Sequence, residues 1–304
     1  MSISLNRNRT IALLALLAAG LLLGVTTNLV KLAHQLAIPP LSYLTWAMGG
    51  AAGILLLVAL CRGQLPRLTP RTIEYFVVSS LLTTVLANLI FFEAVPRLGV
   101  GFVAMMIALP PVLTYLGALL LRMERFSIWR ASGVVLALLG TGWLVRQQWA
   151  APDADTVWIG LVLLGPLMLA LGNLYRSHRW PEGESAETLV PGMLIVGTAL
   201  LILYAVVSDN PLAVSLSEAP VIRLIAIQGL VFAGQFILMF VVQQHGGPVF
   251  LSLMGAVSAI FAVPIAIGLL DEPALPGIMV SALLVAFGIV GVILGEKQPY
   301  PAKG

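Results

Sequence analysis

Long apolar runs, separated by short stretches of charged residues, glycine and proline, set the pattern of this chain. Crossing roughly 30 Å of hydrocarbon takes about 20 helical residues at about 1.5 Å each. Ten runs reach that length: Ile11–Lys31, Leu41–Leu60, Ile73–Val95, Val100–Leu121, Ile128–Val145, Val157–Tyr175, Leu189–Ser208, Ile222–Val242, Val249–Leu270 and Leu275–Leu294. An open strand in lipid leaves backbone groups unpaired, so each run is predicted to be a helix. The alternation expected of barrel strands is missing from them. The connections are short and leave no room for a soluble domain between them. Arg7 and Arg9 precede the first run as basic residues precede a secretory signal. That run continues to Lys31 without a small-x-small cleavage pattern after it, so it is predicted as a retained span.

Composition agrees with a lipid-embedded chain. Of 304 residues, 60% are hydrophobic and 10% charged, where soluble domains average about 25% charged. The mean hydropathy is +1.03. The net charge of +3 and pI near 9.2 could suggest a nucleic-acid partner, but the basic residues sort by membrane side instead. With the N-terminus cytoplasmic, Lys31, Arg97, Arg146 and Arg223 fall outside and the other 12 of 16 Lys and Arg fall inside. An even number of crossings then places both termini in the cytoplasm of a cell-membrane protein. The single cysteine, Cys61, excludes an internal disulfide and a cysteine-rich metal site. It is expected to be a buried or interfacial thiol.

The chain also repeats itself. A shift of 148 residues places Gly24 on Gly172, Gly49 on Gly197, Phe102 on Phe250, Met106 on Met254, Glu124 on Glu272 and Gly140 on Gly288. The ends of the apolar runs coincide under the same shift. Each half holds five runs, and an odd number inverts the second half relative to the first. The predicted fold is an all-α membrane protein of ten transmembrane helices, arranged as two inverted five-helix repeats over residues 11–145 and 157–294. Such inverted repeats are typical of secondary transporters. Glu124 and Glu272 each close a fourth helix, where a carboxylate can face the N-terminus of the following helix. Both are expected to be structural.

These glutamates carry a family resemblance. A Glu followed nine residues later by a small residue (Glu124 to Gly133, Glu272 to Ser281) is similar to the EamA-type signature of the ten-helix drug/metabolite transporters. "FFEAVPRLGVGFVAMM", Phe91–Met106, resembles that family's link between its third and fourth helices. Glu93 stands where an aromatic residue is common, Arg130 where glutamine is, and Ser281 where glycine is. The resemblance implies a transporter, commonly an exporter, for small metabolites such as amino acids, purines or drugs.

Polar groups inside apolar spans mark candidate solute contacts. Ser80, Thr84 and Asn88 recur every four residues and share one face of an α-helix. They line a cavity or bond neighbouring helices. Gln228 and Gln235 answer them on the repeat-related helix. Asn28, Tyr43 and Trp46 lie toward the outer ends of the first two helices. The two aromatics serve either a solute pocket or the interfacial belt. Asn173 and Arg176 lie near the inner end of the sixth helix, where Arg176 reads as an interfacial positive charge or a gate. Tyr115 completes an inner gate or anchors the interface. The predicted substrate-binding set is Asn28, Tyr43, Trp46, Thr84, Asn88, Tyr115, Asn173, Gln228 and Gln235. Pro110, Pro111 and Pro264 break or kink the fourth helix and its repeat partner. Gly20/Gly24, Gly49/Gly53 and Gly291/Gly295 allow close helix approach within a bundle or between copies.

No Asp or Glu falls at mid-span. Glu93, four residues before Arg97, is expected in a local ion pair. Two rivals to transport are an intramembrane enzyme and a transmembrane receptor or scaffold. HExxH, GxSxG and paired membrane aspartates are absent from the sequence. His34, His178 and His245 lack metal-ligand spacing. No catalytic residue, metal or cofactor is expected. The expected partners are a lipid bilayer and a small neutral, zwitterionic or aromatic solute, with the chain a monomer or homodimer.

Overall fold

The computed structural model describes residues 2–122, 126–150, 155–214 and 218–294. Among them there is helix and no strand. Eight helices are long and apolar enough to cross a membrane: α1 (Thr10–Gln35), α2 (Pro40–Arg62), α3 (Pro70–Leu98), α4 (Val100–Leu120), α5 (Ile128–Trp149), α6 (Thr156–His178), α7 (Ala186–Val207) and α8 (Ala219–Gly246). Two shorter apolar helices follow, α9 (Met254–Leu269) and α10 (Ile278–Gly288).

Local chemistry starts and stops these helices. Thr69 and Thr72 form a capping box, with Pro70 in the first turn of α3. Ser185 and Thr188 repeat the box at α7. The Asp155 carboxylate accepts the Trp158 N–H at 3.1 Å and caps α6. Gly63, at φ +62°, ends α2 in the left-handed conformation.

Three helices depart from a plain α-rod. The backbone of α3 is α-helical to Ser79, π-helical over Ser80–Leu86 and α-helical again from Ala87. In α4 the helix stops after Ile107 and restarts at Pro110. Pro110 and Pro111 occupy its first-turn positions, where no N–H is needed. Pro264, by contrast, sits inside the unbroken stretch Met254–Leu269 and is not itself a break. The expected link before Val249 is also absent. The backbone stays helical from Ala219 through Ser252 and breaks at Leu253. The Gly246-Gly247-Pro248 turn signal does not end the helix there.

In the bundle α1 packs on α8 and α9, α2 on α7 and α8, α6 on α3 and the second part of α4, and α5 on α10. Glycine makes two of these approaches possible. A Cβ on Gly24 would stand 2.8 Å from the Ser258 carbonyl oxygen of α9, and one on Gly288 would stand 2.5 Å from the Gly133 carbonyl oxygen of α5. The surface is apolar: Leu120 is 85% exposed, and Leu57, Val207 and Leu269 are exposed beside it in kind. Polar groups such as Gln228, Thr84 and Arg176 lie inside. That inversion suits hydrocarbon surroundings.

Ion pairs define the two ends of the bundle. At one end Arg71 meets Glu182 at 3.5 Å, Arg179 meets Glu74 at 2.9 Å, and the Arg67 N–H donates to Glu184 at 3.1 Å. At the other, Lys31 meets Glu272 at 2.8 Å and Arg97 meets Glu93 at 2.7 Å. The Glu93–Arg97 pair is the one the sequence predicts. Glu272 departs from expectation. Its oxygens accept the Val100 N–H at 3.1 Å and the Gly101 N–H at 2.9 Å. It therefore caps α4 rather than the following helix α10. Gly99, at φ +82°, turns the chain so that those two N–H groups point at it. Glu124 lies outside the described residues. Cys61 is exposed near the end of α2, which excludes the buried alternative and leaves the interfacial one.

Candidate functional site

A cavity opens between α1, α3, α4, α6, α8 and α9, with about 580 Å³ of empty space counting its open mouth. Phe91, Phe92, Phe236 and Met239 give it an apolar, aromatic wall. Thr26, Thr83, Asn88 and Gln235 supply most of its polar edge. No acidic or basic side chain lines it among the described residues.

The π-turn in α3 decides which polar groups reach this cavity. In an α-helix Ser80, Thr84 and Asn88 would share a face. A π-turn closes on i→i+5 bonds, so it brings Thr83 and Asn88 to the cavity instead. Ser80 turns away and donates to the Met193 carbonyl of α7 at 2.6 Å. Thr84 is buried against α7, where its methyl group would lie 2.9 Å from a Cβ built on Gly197. The Asn88 amide nitrogen donates to the Thr83 and Thr84 carbonyls at 3.3 and 2.9 Å. Its Oδ1 has no partner among the described residues, which leaves an acceptor at the cavity wall.

A relay of side chains runs from α2 to the cavity. Tyr43 donates its hydroxyl to Gln228 Oε1 at 3.2 Å. Gln228 Nε2 donates to Thr26 Oγ1 at 3.0 Å, and Thr26 donates to Gln235 Oε1 at 3.1 Å. Gln235 Nε2 remains without a partner among the described residues, as a donor at the cavity. Tyr43 also packs its ring on Phe92 at 5.9 Å between centroids, so Tyr43 and Gln228 support the wall from behind. Asn28 is buried beside the same region. Its Nδ2 donates to the Gly24 and Ala262 carbonyls at 2.9 and 3.1 Å, while its Oδ1 is buried without a partner.

Of the nine predicted site residues, Asn88 and Gln235 line the cavity. Asn28, Tyr43 and Gln228 stand behind it, and Thr84 faces α7. Two lie elsewhere. Trp46 is 45% exposed and donates to the Leu212 carbonyl at 2.9 Å, which fits an interfacial anchor. The Tyr115 hydroxyl accepts the Ser127 N–H at 3.0 Å, and the Arg130 guanidinium lies 5.3 Å from its ring. Tyr115 therefore fixes the corner between α4 and α5.

Asn173 belongs to a polar layer just beyond the cavity, toward the C-terminal ends of α6 and α8. Arg176 forms the centre of that layer. It is 1% exposed, which excludes the interfacial charge and leaves the gate of the two roles its place in the sequence suggests. Its Nε donates to Gln243 Oε1 at 3.0 Å, Nη1 to Thr83 Oγ1 at 2.9 Å and Nη2 to Asn173 Oδ1 at 2.7 Å. Gln243 Nε2 in turn donates to Ser177 Oγ at 3.1 Å. The layer ties α3, α6 and α8 together.

Residues 10–146 match the EamA-like transporter family. Over 202 residues it is 24% identical to a WAT1-related protein of Arabidopsis thaliana, a match that covers 62% of this chain and 59% of that protein's length. The family match covers less than half of this chain, and the chain spans less than two thirds of the length of that curated relative. A solved crystal structure of another protein has the same fold: TM-score 0.66 at 18% identity, covering 96% of this chain and 99% of that one. The EamA-type stretch ends near the close of α5. The cavity also draws on α6, α8 and α9, beyond it.

Proposed function

We propose that this chain is a secondary transporter with ten membrane crossings, built as two inverted five-helix units over residues 11–145 and 157–294. The solute passes through the cavity between them. One observation carries this reading: in a lipid-facing helical bundle, Asn88 of the first half and Gln235 of the second present an unused acceptor and an unused donor to one apolar cavity. Such a cavity suits a small neutral, zwitterionic or aromatic solute better than a multivalent ion.

The packing supports the inverted pairing. Helices α2 and α7, α4 and α9, and α5 and α10 pack on their own repeat partners, and α1 meets α8 and α9 as α6 meets α3 and α4. Rocking of one unit on the other would open the two ends of the cavity in turn. The Arg176 layer is the barrier at one end. The Lys31–Glu272 pair, which joins α1 to the cap of α4, holds the other. The excess of basic residues favours cytoplasmic termini in a cell membrane, and the family resemblance favours export. Purified protein reconstituted in vesicles should move at least one labelled solute from a panel of amino acids, nucleobases and aromatic drugs faster than empty vesicles do. Flat traces across that panel would overturn the proposal.

A further inference from the structure

Arg176 carries its charge into the bundle with no carboxylate to meet it among the described residues. Its three bonded partners, Gln243, Thr83 and Asn173, are all neutral. The Phe240 ring, 5.8 Å away, adds a weak cation–π contact. Two of its five N–H groups have no partner among the described residues. A desolvated charge that lacks an opposite charge is costly and marks a functional position in a membrane protein.

Its position ties it to the solute path. Leu169 lines the cavity, and Asn173 and Arg176 follow it on the same face of α6 at four and seven residues. Met239 lines the cavity, and Gln243 follows one turn along α8. Thr83 belongs to both places: it lines the cavity, and its hydroxyl accepts from Arg176 Nη1 at 2.9 Å. The guanidinium is thus one side chain beyond the cavity floor.

We propose that Arg176 is the anion anchor of the pathway, and that the solute carries a single carboxylate on an apolar or aromatic body. This rests on the transporter reading above and sharpens its solute class. A carboxylate reaching the floor replaces Thr83 as the partner of Nη1. Its second oxygen takes one of the unused N–H groups, in the forked geometry that guanidinium favours. The aromatic wall of Phe91, Phe92 and Phe236 holds the body. An ammonium in place of the carboxylate meets a like charge and finds no acidic side chain in the cavity. The exchange also removes the Thr83–Arg176 bond that joins α3 to α6, so solute binding loosens the barrier it must pass.

The test uses three probes with one body: 3-phenylpropionate, 3-phenylpropanol and 3-phenylpropylamine. Their binding to the purified full chain is measured by calorimetry at neutral pH. The carboxylate should bind about tenfold or more tightly than the other two. Arg176→Gln should abolish that preference, and Arg176→Lys should restore part of it. Labelled 3-phenylpropionate should cross vesicles holding the wild-type chain faster than vesicles holding Arg176→Gln. If Arg176→Gln fails to fold, as judged by gel filtration, the wild-type order of the probes decides alone. Equal or tighter binding of the alcohol or the amine overturns the anchor and leaves the transporter reading standing. Retained carboxylate preference in a folded Arg176→Gln chain overturns it too. Binding of none of the three, together with flat flux, counts against both.

Discussion

Asn88 bonds two backbone carbonyls of its own helix with one end of its amide and offers the other end to the cavity. Replacing it with leucine should weaken solute binding about tenfold, the worth of one hydrogen bond lost in a desolvated site. Titration of whichever solute the vesicle panel identifies checks this. Trp46→Phe serves as the control: its indole bonds the Leu212 carbonyl outside the cavity, and binding should be unchanged. Glu93→Gln should also retain transport, because its carboxylate serves the Arg97 pair and does not line the cavity. Complete loss of flux in a folded Glu93→Gln protein would make that carboxylate part of the coupling. The amides were legible in the sequence because a polar side chain stands out in an apolar run. Thr83 was not, and Arg176 was legible only as an interfacial charge or a gate. An α-helical spacing selects Thr84, and only the π-turn moves Thr83 into place. A charge near the end of a span is accounted for by membrane sidedness, and the burial of Arg176 appears only when α3 and α8 close over it.

At the scale of elements, the long apolar runs gave the helices, while their interruptions depended on packing. Proline at 110 and 111 restarts a helix, yet proline at 264 sits within one, so the residue type alone does not decide where a helix breaks. The GxxxG pairs divide in the same way. Gly24 lies against Ser258 of α9, whereas a Cβ on Gly53 meets nothing within 4 Å. Gly24→Leu should therefore force α1 from α9 and lower the melting temperature sharply. Gly53→Ala should leave it unchanged or raise it, since alanine favours the helix by about 1 kcal/mol. Thermal melts of the two variants in one detergent make the comparison, and similar losses in both would show that spacing alone governs these glycines. Glu272 is a second case. Its carboxylate is largely buried between Lys31 and two N–H groups at the start of α4. Glu272→Gln should cost about 1–3 kcal/mol, read as a lower melting temperature. The position of this residue in a link was legible. Its partner helix was not, because a cap donated from across the bundle leaves no trace in local spacing.

For the whole molecule, the arrangement turns on whether corresponding links of the two halves face opposite ways. The link from α2 to α3 corresponds, under the shift of 148, to the link from α7 to α8. The two sit at opposite ends of α2. Arg62 at its C-terminus reaches Glu187 at 4.0 Å, whereas Ser42 near its N-terminus donates to the Pro211 carbonyl at 3.3 Å. The link from α6 to α7 joins the first of these ends through Arg67 and Glu184. A membrane drawn across the bundle therefore separates Leu65 and Glu182 from Asn210 and Pro273, all of them exposed. In a Cys61→Ser background, single cysteines at those four positions should divide in pairs. An impermeant thiol reagent applied to intact cells should label Asn210→Cys and Pro273→Cys, and should reach Leu65→Cys and Glu182→Cys only after the cells are opened. The positive-inside excess dictates which pair is protected, and the ion pairs dictate that they divide at all. The reverse pattern would turn the molecule over and leave its inversion intact. Labelling of Leu65→Cys and Asn210→Cys from the same side would end the inverted repeat, and with it the rocking motion by which a single cavity could serve both faces.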